Sequence, residues 1–245
     1  MRMGTILRSL IIAELQLPIS GGKVLDIGCY DGYLLSKINA EKKVGIDISP
    51  VPEYPSIEYI QGNFLDYDFG EERFDKILAM DVLEHIERDD LFLEKLVNLL
   101  SEEGIAILSV PSKNIRIFPG FLQNWVDKKW GHHYRRGYTK AEIEELFGNT
   151  GHDLDIEFQT ISCPIFRFVY LPLSMMWRVL PNLTSELLES IVRLDLKYND
   201  SDSGFLYLNA YKRDKKSDSG KTLKRVITVV NNHQIPQDQP QREYS

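Results

Sequence analysis

The sequence predicts a doubly wound α/β fold, a mostly parallel seven-stranded sheet with helices on both faces and a final antiparallel strand. Three observations predict it. Short apolar runs alternate with amphipathic helical stretches from residue 5 to residue 158, the pattern of successive βα units. The first apolar run, Val24-Leu25-Asp26-Ile27, passes without a break into the turn Gly28-Cys29-Tyr30-Asp31-Gly32, a Rossmann-like arrangement for holding a ligand. Finally, 245 residues at 43% hydrophobic content are enough to bury one substantial core.

Taken in order, residues 5–17 space Ile6, Leu10, Ile11, Ala13, Leu15 and Leu17 as one helical face, and Pro18 stops the helix. After Ser20-Gly21-Gly22 come the first strand, its glycine turn and a helix expected to run to about Asn39. Lys43-Val44-Gly45-Ile46-Asp47-Ile48-Ser49 forms a second strand that ends on an acid. Ile57-Glu58-Tyr59-Ile60 is the third and Phe74 to Met80 the fourth. Residues 90–100 give a helix with Leu91, Leu93, Leu96 and Leu99 or Leu100 inward, and Gly104 opens the fifth strand, Ile105 to Val110, closed by Pro111. Thr139-Lys140-Ala141-Glu142 has capping-box spacing and begins a helix buried through Ile143, Leu146 and Phe147. Leu154 to Phe158 is the sixth strand and Gly204 to Tyr211 the last, paired antiparallel.

Two stretches break the pattern. Residues 112–138 scatter aromatics among basic residues, and residues 161–200 begin with an apolar, aromatic run interrupted by Pro164, Arg167, Pro172 and Arg178. Both read as substrate-side insertions or a lid within a domain spanning 1–212, whose first 20 residues hold the leading helix. The run at 161–180 carries too many charges for a spanning helix. It packs as a cover on the core, or it forms an apolar substrate tunnel or an interfacial helix that meets lipid, the last giving a peripheral membrane contact. From residue 213 to 245 the chain is polar and is expected to be a disordered tail.

A net charge of −7 disfavours a nucleic-acid partner, because a phosphate-tracking surface needs excess cations. Cys29 and Cys163 have no paired spacing, so no disulfide framework and no metal site is expected. The first residues lack both a long apolar run and a small-residue cleavage site, and the expected location is the cytoplasm.

Asp47 lies about 20 residues past Gly28, where an acid at a strand end accepts hydrogen bonds from ribose hydroxyls. The turn reads Gly28-x-x-x-Gly32 with Tyr30 where a dinucleotide fingerprint needs its second glycine, which opposes a pyrophosphate. Asp26, just before the turn, favours a cationic amino group instead.

These residues, followed by Gly62-Asn63-Phe64, by Phe74-Asp75-Lys76-Ile77 and by Met80-Asp81-Val82-Leu83-Glu84-His85-Ile86, resemble the class I S-adenosylmethionine-dependent methyltransferases. Ser109-Val110-Pro111 and His133-Tyr134-Arg135-Arg136-Gly137-Tyr138-Thr139 are similar to the small-molecule branch that includes the ubiquinone-biosynthesis enzymes. The resemblance covers roughly residues 20–158. It implies S-adenosyl-L-methionine as cofactor, with Asp26, Gly28, Cys29 and Gly32 around its methionine moiety, and Asp47 on the ribose. Ile48 and Phe64 would flank the adenine, Asn63 its amino group, and Met80 would line the pocket near the sulfonium. It also implies a small-molecule acceptor such as a lipid, a quinone precursor or a sugar, methylated on oxygen, with nitrogen or carbon as the alternative. A base helps an oxygen nucleophile, and His133 and then His85 are the candidates, each with a purely structural role as its alternative. A nicotinamide-dependent oxidoreductase and a non-catalytic cofactor-binding scaffold are the competing readings. The sequence leaves the oligomeric state open.

Overall fold

The computed structural model describes residues 3–49, 54–130, 134, 137–197 and 204–212. The polar tail expected at 213–245 lies outside the described residues, and so do His132 and His133.

The first helix, α1 (Met3–Glu14), starts earlier than its periodicity indicates and buries Met3, Ile6, Leu7, Ile11 and Ile12. Strand β1 (Lys23–Ile27) leads through the glycine turn into α2 (Tyr33–Lys37), a helix of only five residues rather than one reaching Asn39. Strands β2 (Lys42–Asp47), β3 (Glu58–Gln61) and β4 (Phe74–Met80) follow, the last with the bounds its apolar run indicates. A 3-10 turn at Leu83–His85 precedes α3 (Asp89–Leu99) and β5 (Leu100–Pro111). In α3 the inward apolar residues are Phe92, Leu93, Leu96, Val97 and Leu99, as expected for Leu93, Leu96 and Leu99, whereas Leu91 is 41% exposed and Phe92 takes its place.

The stretch 112–138 is not wholly irregular, for it contains a 3-10 turn at Gly120–Leu122 and α4 (Gln123–Trp130). Helix α5 (Lys140–Gly148) begins on Thr139, whose hydroxyl accepts the Glu142 N–H while the Glu142 carboxylate accepts the Thr139 N–H, a complete capping box. Strand β6 (Leu154–Ile161) is followed by two helices, α6 (Pro164–Met176) and α7 (Pro181–Lys197), and then by β7 (Phe205–Lys212). Helix α7 ties down the start of α6. The Asp195 carboxylate accepts the Ile165 and Phe166 N–H groups at 2.7 and 2.9 Å, filling the backbone donors that a helix start leaves open.

The seven strands order as β3-β2-β1-β4-β5-β7-β6, parallel from β3 to β5, with β7 inserted antiparallel between β5 and β6. Two apolar layers fill the faces. On one, α1, α2, α6 and α7 pack on Val24, Leu78, Ile107 and Tyr207; on the other, α3 and α5 pack on Leu25, Ile27, Ile77, Ala79 and Leu108. The chain runs outward from β1 to β3, then returns to place β4 against the other side of β1. That reversal opens a crevice at the carboxyl ends of β1 and β4, where doubly wound sheets hold ligands.

Candidate functional site

The turn after β1 is shaped by its backbone angles. Gly28 has φ +72°, and a Cβ there would lie 2.5 Å from Val82 Cγ2, so only glycine lets β1 end this close to the segment after β4. Tyr30 adopts φ +48°, a left-handed conformation costing a side chain about 1–2 kcal/mol. Its compensation comes from Asp47 at the end of β2, whose Oδ2 accepts the Tyr30 N–H at 2.8 Å. Asp47 Oδ1 accepts the Ser49 N–H at 2.8 Å. The acid thus stitches the two turns together while each oxygen keeps a further lone pair.

These elements wall a cavity of about 730 Å³. Gly28, Asp47, Ile48, Asn63, Phe64, Met80 and His85 line it, which brings together seven of the residues singled out in the sequence. Asn63 is partly committed, since its Oδ1 accepts the Leu65 N–H at 3.1 Å and its Nδ2 donates to Asp66 at 2.9 Å. Phe64 is fixed by Phe92 with ring centroids 5.0 Å apart, and by Lys95 Nζ, 5.2 Å above its ring.

Asp26, Cys29 and Gly32 are not among the lining residues. Asp26 is buried in β1 opposite Gly45 and Leu78, and burial, followed by the nearby Asp47 charge, pushes its carboxyl up to about 8 against the pull of Arg8. Burial likewise raises the Cys29 thiol far above its usual range, so it is no nucleophile at neutral pH. Gly32 answers to packing: its φ is +67°, and the Tyr59 hydroxyl occupies the space a Cβ would need.

The far half of the cavity comes from segments without a motif. Helix α1 contributes Met3, Leu7 and Arg8, α6 contributes Phe166 and Tyr170, and Trp177 and Phe205 complete an apolar, aromatic wall. Between the halves sits Asp81, immediately after β4, with φ +52°. Its Oδ1 accepts the Ser109 hydroxyl at 2.7 Å and its Oδ2 accepts Arg8 Nε–H at 2.6 Å. Glu84 also lines the cavity and is 1% exposed. Its carboxyl is held well above the usual range, by burial first and the Asp81 charge second. His85, at the rim, places Nε2 3.9 Å from Glu84 Oε1. Sequence reasoning passed over Arg8, Asp81 and Glu84 as site residues. Asp81 was the one with a signal, an acid directly after the strand that forms the switch point.

Fold and cavity together define an α/β ligand-binding domain whose site straddles the switch point and opens into an aromatic chamber. A family model described as a methyltransferase domain matches residues 2–155, and the chain belongs to that family. Among curated relatives, a ubiquinone biosynthesis O-methyltransferase of Azorhizobium caulinodans is 28% identical over 156 residues, covering 56% of this chain and 61% of that protein. One of the same name from Cereibacter sphaeroides (strain ATCC 17029 / ATH 2.4.9) is 28% identical over 181 residues, covering 66% of this chain and 69% of the relative. The match therefore spans about three fifths of the first relative's length. Among solved structures, phosphoethanolamine N-methyltransferase 2 of Haemonchus contortus superposes with a TM-score of 0.58 at 17% identity, over 84% of this chain and 52% of that one. At that identity the likeness bears on the fold alone.

Proposed function

We propose that the protein transfers a methyl group from S-adenosylmethionine to an oxygen of a small molecule. The observation that carries this reading is the single cavity running from the Gly28 and Asp47 turns, past Met80 and Asp81, into the aromatic chamber. A donor and an acceptor placed at its two ends would meet at the strand ends. The residues present fit the cofactor: a close-approach glycine turn, an acid with lone pairs to spare, and apolar surfaces on Ile48 and Phe64. When bound, it supplies an activated methyl on a cationic sulfur. Asp47 then takes the ribose hydroxyls, Ile48 and Phe64 clasp the base, and Asn63 offers its amide to the base edge. The chamber wall excludes water and holds the acceptor in line, where alignment supplies much of the rate. In this reading His85, partly exposed beside Glu84, takes the acceptor proton to solvent. His133, the other candidate base, lies outside the described residues. The O-methyltransferase names of the curated relatives support oxygen as the target atom. Nothing in the comparisons favours a nicotinamide enzyme or a scaffold.

Calorimetry with S-adenosylhomocysteine tests the reading. The protein is expected to bind it, and Asp47→Ala to weaken binding by at least about tenfold, or 1.4 kcal/mol. Failure of the unmodified protein to bind would overturn it.

We also infer a lipid contact through the aromatic surface around α4 and α6. Phe118, Phe121, Trp125 and Phe168 are 54–84% exposed, Phe118 stacks on Phe168 at 4.6 Å, and Arg116 and Arg167 adjoin them. No helix among the described residues is long and apolar enough to cross a membrane. Co-sedimentation with phospholipid vesicles is expected for the protein and lost on Phe121→Ala plus Trp125→Ala; equal sedimentation of both would sink the idea.

A further inference from the structure

The loop after β3 that carries Asn63 and Phe64 to the cavity is gripped from behind by one cation. Lys95, on α3, donates from Nζ to the Leu65 carbonyl at 3.0 Å and to the Tyr67 carbonyl at 2.5 Å. The same ammonium stands 5.2 Å from the ring centroid of Phe64 and 5.9 Å from that of Phe69. Phe69 in turn meets Phe74 of β4 edge-on at 5.8 Å, so the clamp is anchored to the sheet. Burial lowers the Lys95 pKa against the pull of Asp68 and Asp66, which marks this ammonium as partly desolvated and not a free surface charge. With three donors and no acceptor, it suits a site made of two carbonyls and two ring faces.

What the loop presents is the Asn63 amide in one sense. Its Oδ1 accepts the Leu65 N–H at 3.1 Å and its Nδ2 donates to Asp66 at 2.9 Å. A flipped amide would set Nδ2 against an N–H and Oδ1 against a carboxylate. Both partners that fix this sense are themselves held by Lys95. It clamps Leu65 by the carbonyl, and Asp66 lies between the two clamped carbonyls and within reach of the ammonium's charge. We propose that Lys95 is a positioning residue that fixes the Asn63 amide oxygen toward the base of the cofactor, and so sets a preference for a 6-amino over a 6-oxo purine. This rests on the methyl-transfer reading and adds the origin of base selectivity to it. The loop has other ties: the Asp47 carbonyl accepts the Gly62 N–H at 2.9 Å, and the Asn63 carbonyl accepts the Asp66 and Tyr67 N–H groups at 3.1 Å each. Those ties keep the loop in place without Lys95. Its removal therefore acts on the orientation of Asn63 and leaves Phe64 packed on Phe92.

The test is calorimetry on the full chain with S-adenosyl-L-homocysteine and with S-inosyl-L-homocysteine, which carries a 6-oxo purine in place of adenine. The unmodified protein is expected to bind the adenosyl compound at least about tenfold tighter. Lys95→Met should reduce that preference to within about threefold, chiefly by weakening the adenosyl compound. Lys95→Arg, which keeps a cation able to donate to both carbonyls, should restore most of it. If the Met variant fails to melt cooperatively, Lys95→Gln is held to the same threefold criterion. Equal binding of the two compounds by the unmodified protein, or a preference undiminished in the Met or Gln variant, would overturn the proposal. So would an equal loss of affinity for both compounds, which would show that Lys95 only stiffens the fold. Failure of the unmodified protein to bind S-adenosylhomocysteine would instead strike the methyl-transfer reading itself.

Discussion

Asp26 shows how one carboxyl answers to two demands. It is 3% exposed in the first strand, with its carboxyl pushed up to about 8 by burial and by Asp47. The unfolded chain loses that proton near pH 4 and the folded chain only near 8, so between these values the unfolded state binds fewer protons and stability drains away as pH rises. Asp26→Asn removes the titration. It is expected to leave stability nearly unchanged below pH 4 and to raise it increasingly up to pH 8, by at least about 1 kcal/mol there, measured by urea unfolding across pH. A gain that does not vary with pH would show that the carboxyl is not held neutral. If Asp26 acts on the cofactor's amino group from behind the wall, the same variant binds S-adenosylhomocysteine more weakly while being more stable. At this scale the sequence made Gly28, Asp47 and Phe64 legible as residues that would line the candidate site, because each occupies a fixed place relative to a strand end. Arg8 was not legible, since an arginine on a leading helix has no such register.

Among the elements, α5 was the most readable, because its start is written entirely in local chemistry. Thr139 and Glu142 satisfy each other's backbone donors, and Thr139→Ala is expected to cost about 1 kcal/mol in denaturant unfolding. A change below a few tenths of a kcal/mol would mean that tertiary packing alone sets the helix start. Just before the cap, the fully buried Tyr138 donates its hydroxyl to the Leu83 carbonyl and to Asp89, pinning the turn that carries Glu84 and His85. That coupling between α5 and the site joins residues 55 and 49 positions apart, and no local pattern announces it. Helix α7 escaped notice for a related reason. It buries only Thr184, Leu188, Val192 and Asp195, a narrow stripe set against α6 and α1. The cap it provides through Asp195 exists only once the two helices meet.

Across the whole molecule, the lipid contact and the acidic balance pull in opposite directions. With a net charge of −7, long-range attraction to an anionic membrane is absent, so association has to come from the exposed aromatic rings and the few cations beside them. Vesicle binding is accordingly expected to withstand added salt and to depend on Phe121 and Trp125. The strand order, too, emerges at this scale. A final antiparallel strand was legible, but its insertion between β5 and β6 was not, because register and neighbours are chosen by burial on both faces.

By itself the sequence determined the alternation of strands and helices, the glycine turn, the acid that stitches it and the family to which the chain belongs. These depend on short-range rules, namely period, capping and the φ freedom of glycine. Only the tertiary structure decided that α1 folds over the carboxyl ends of the strands to lay Arg8 against Asp81, that Asp26 sinks behind the cavity wall, and that Glu84 is buried with no hydrogen-bond partner for its Oε2 among the described residues. Each of those is a matter of desolvation and charge between residues far apart in the chain, and such energies are defined only once the fold has brought them together.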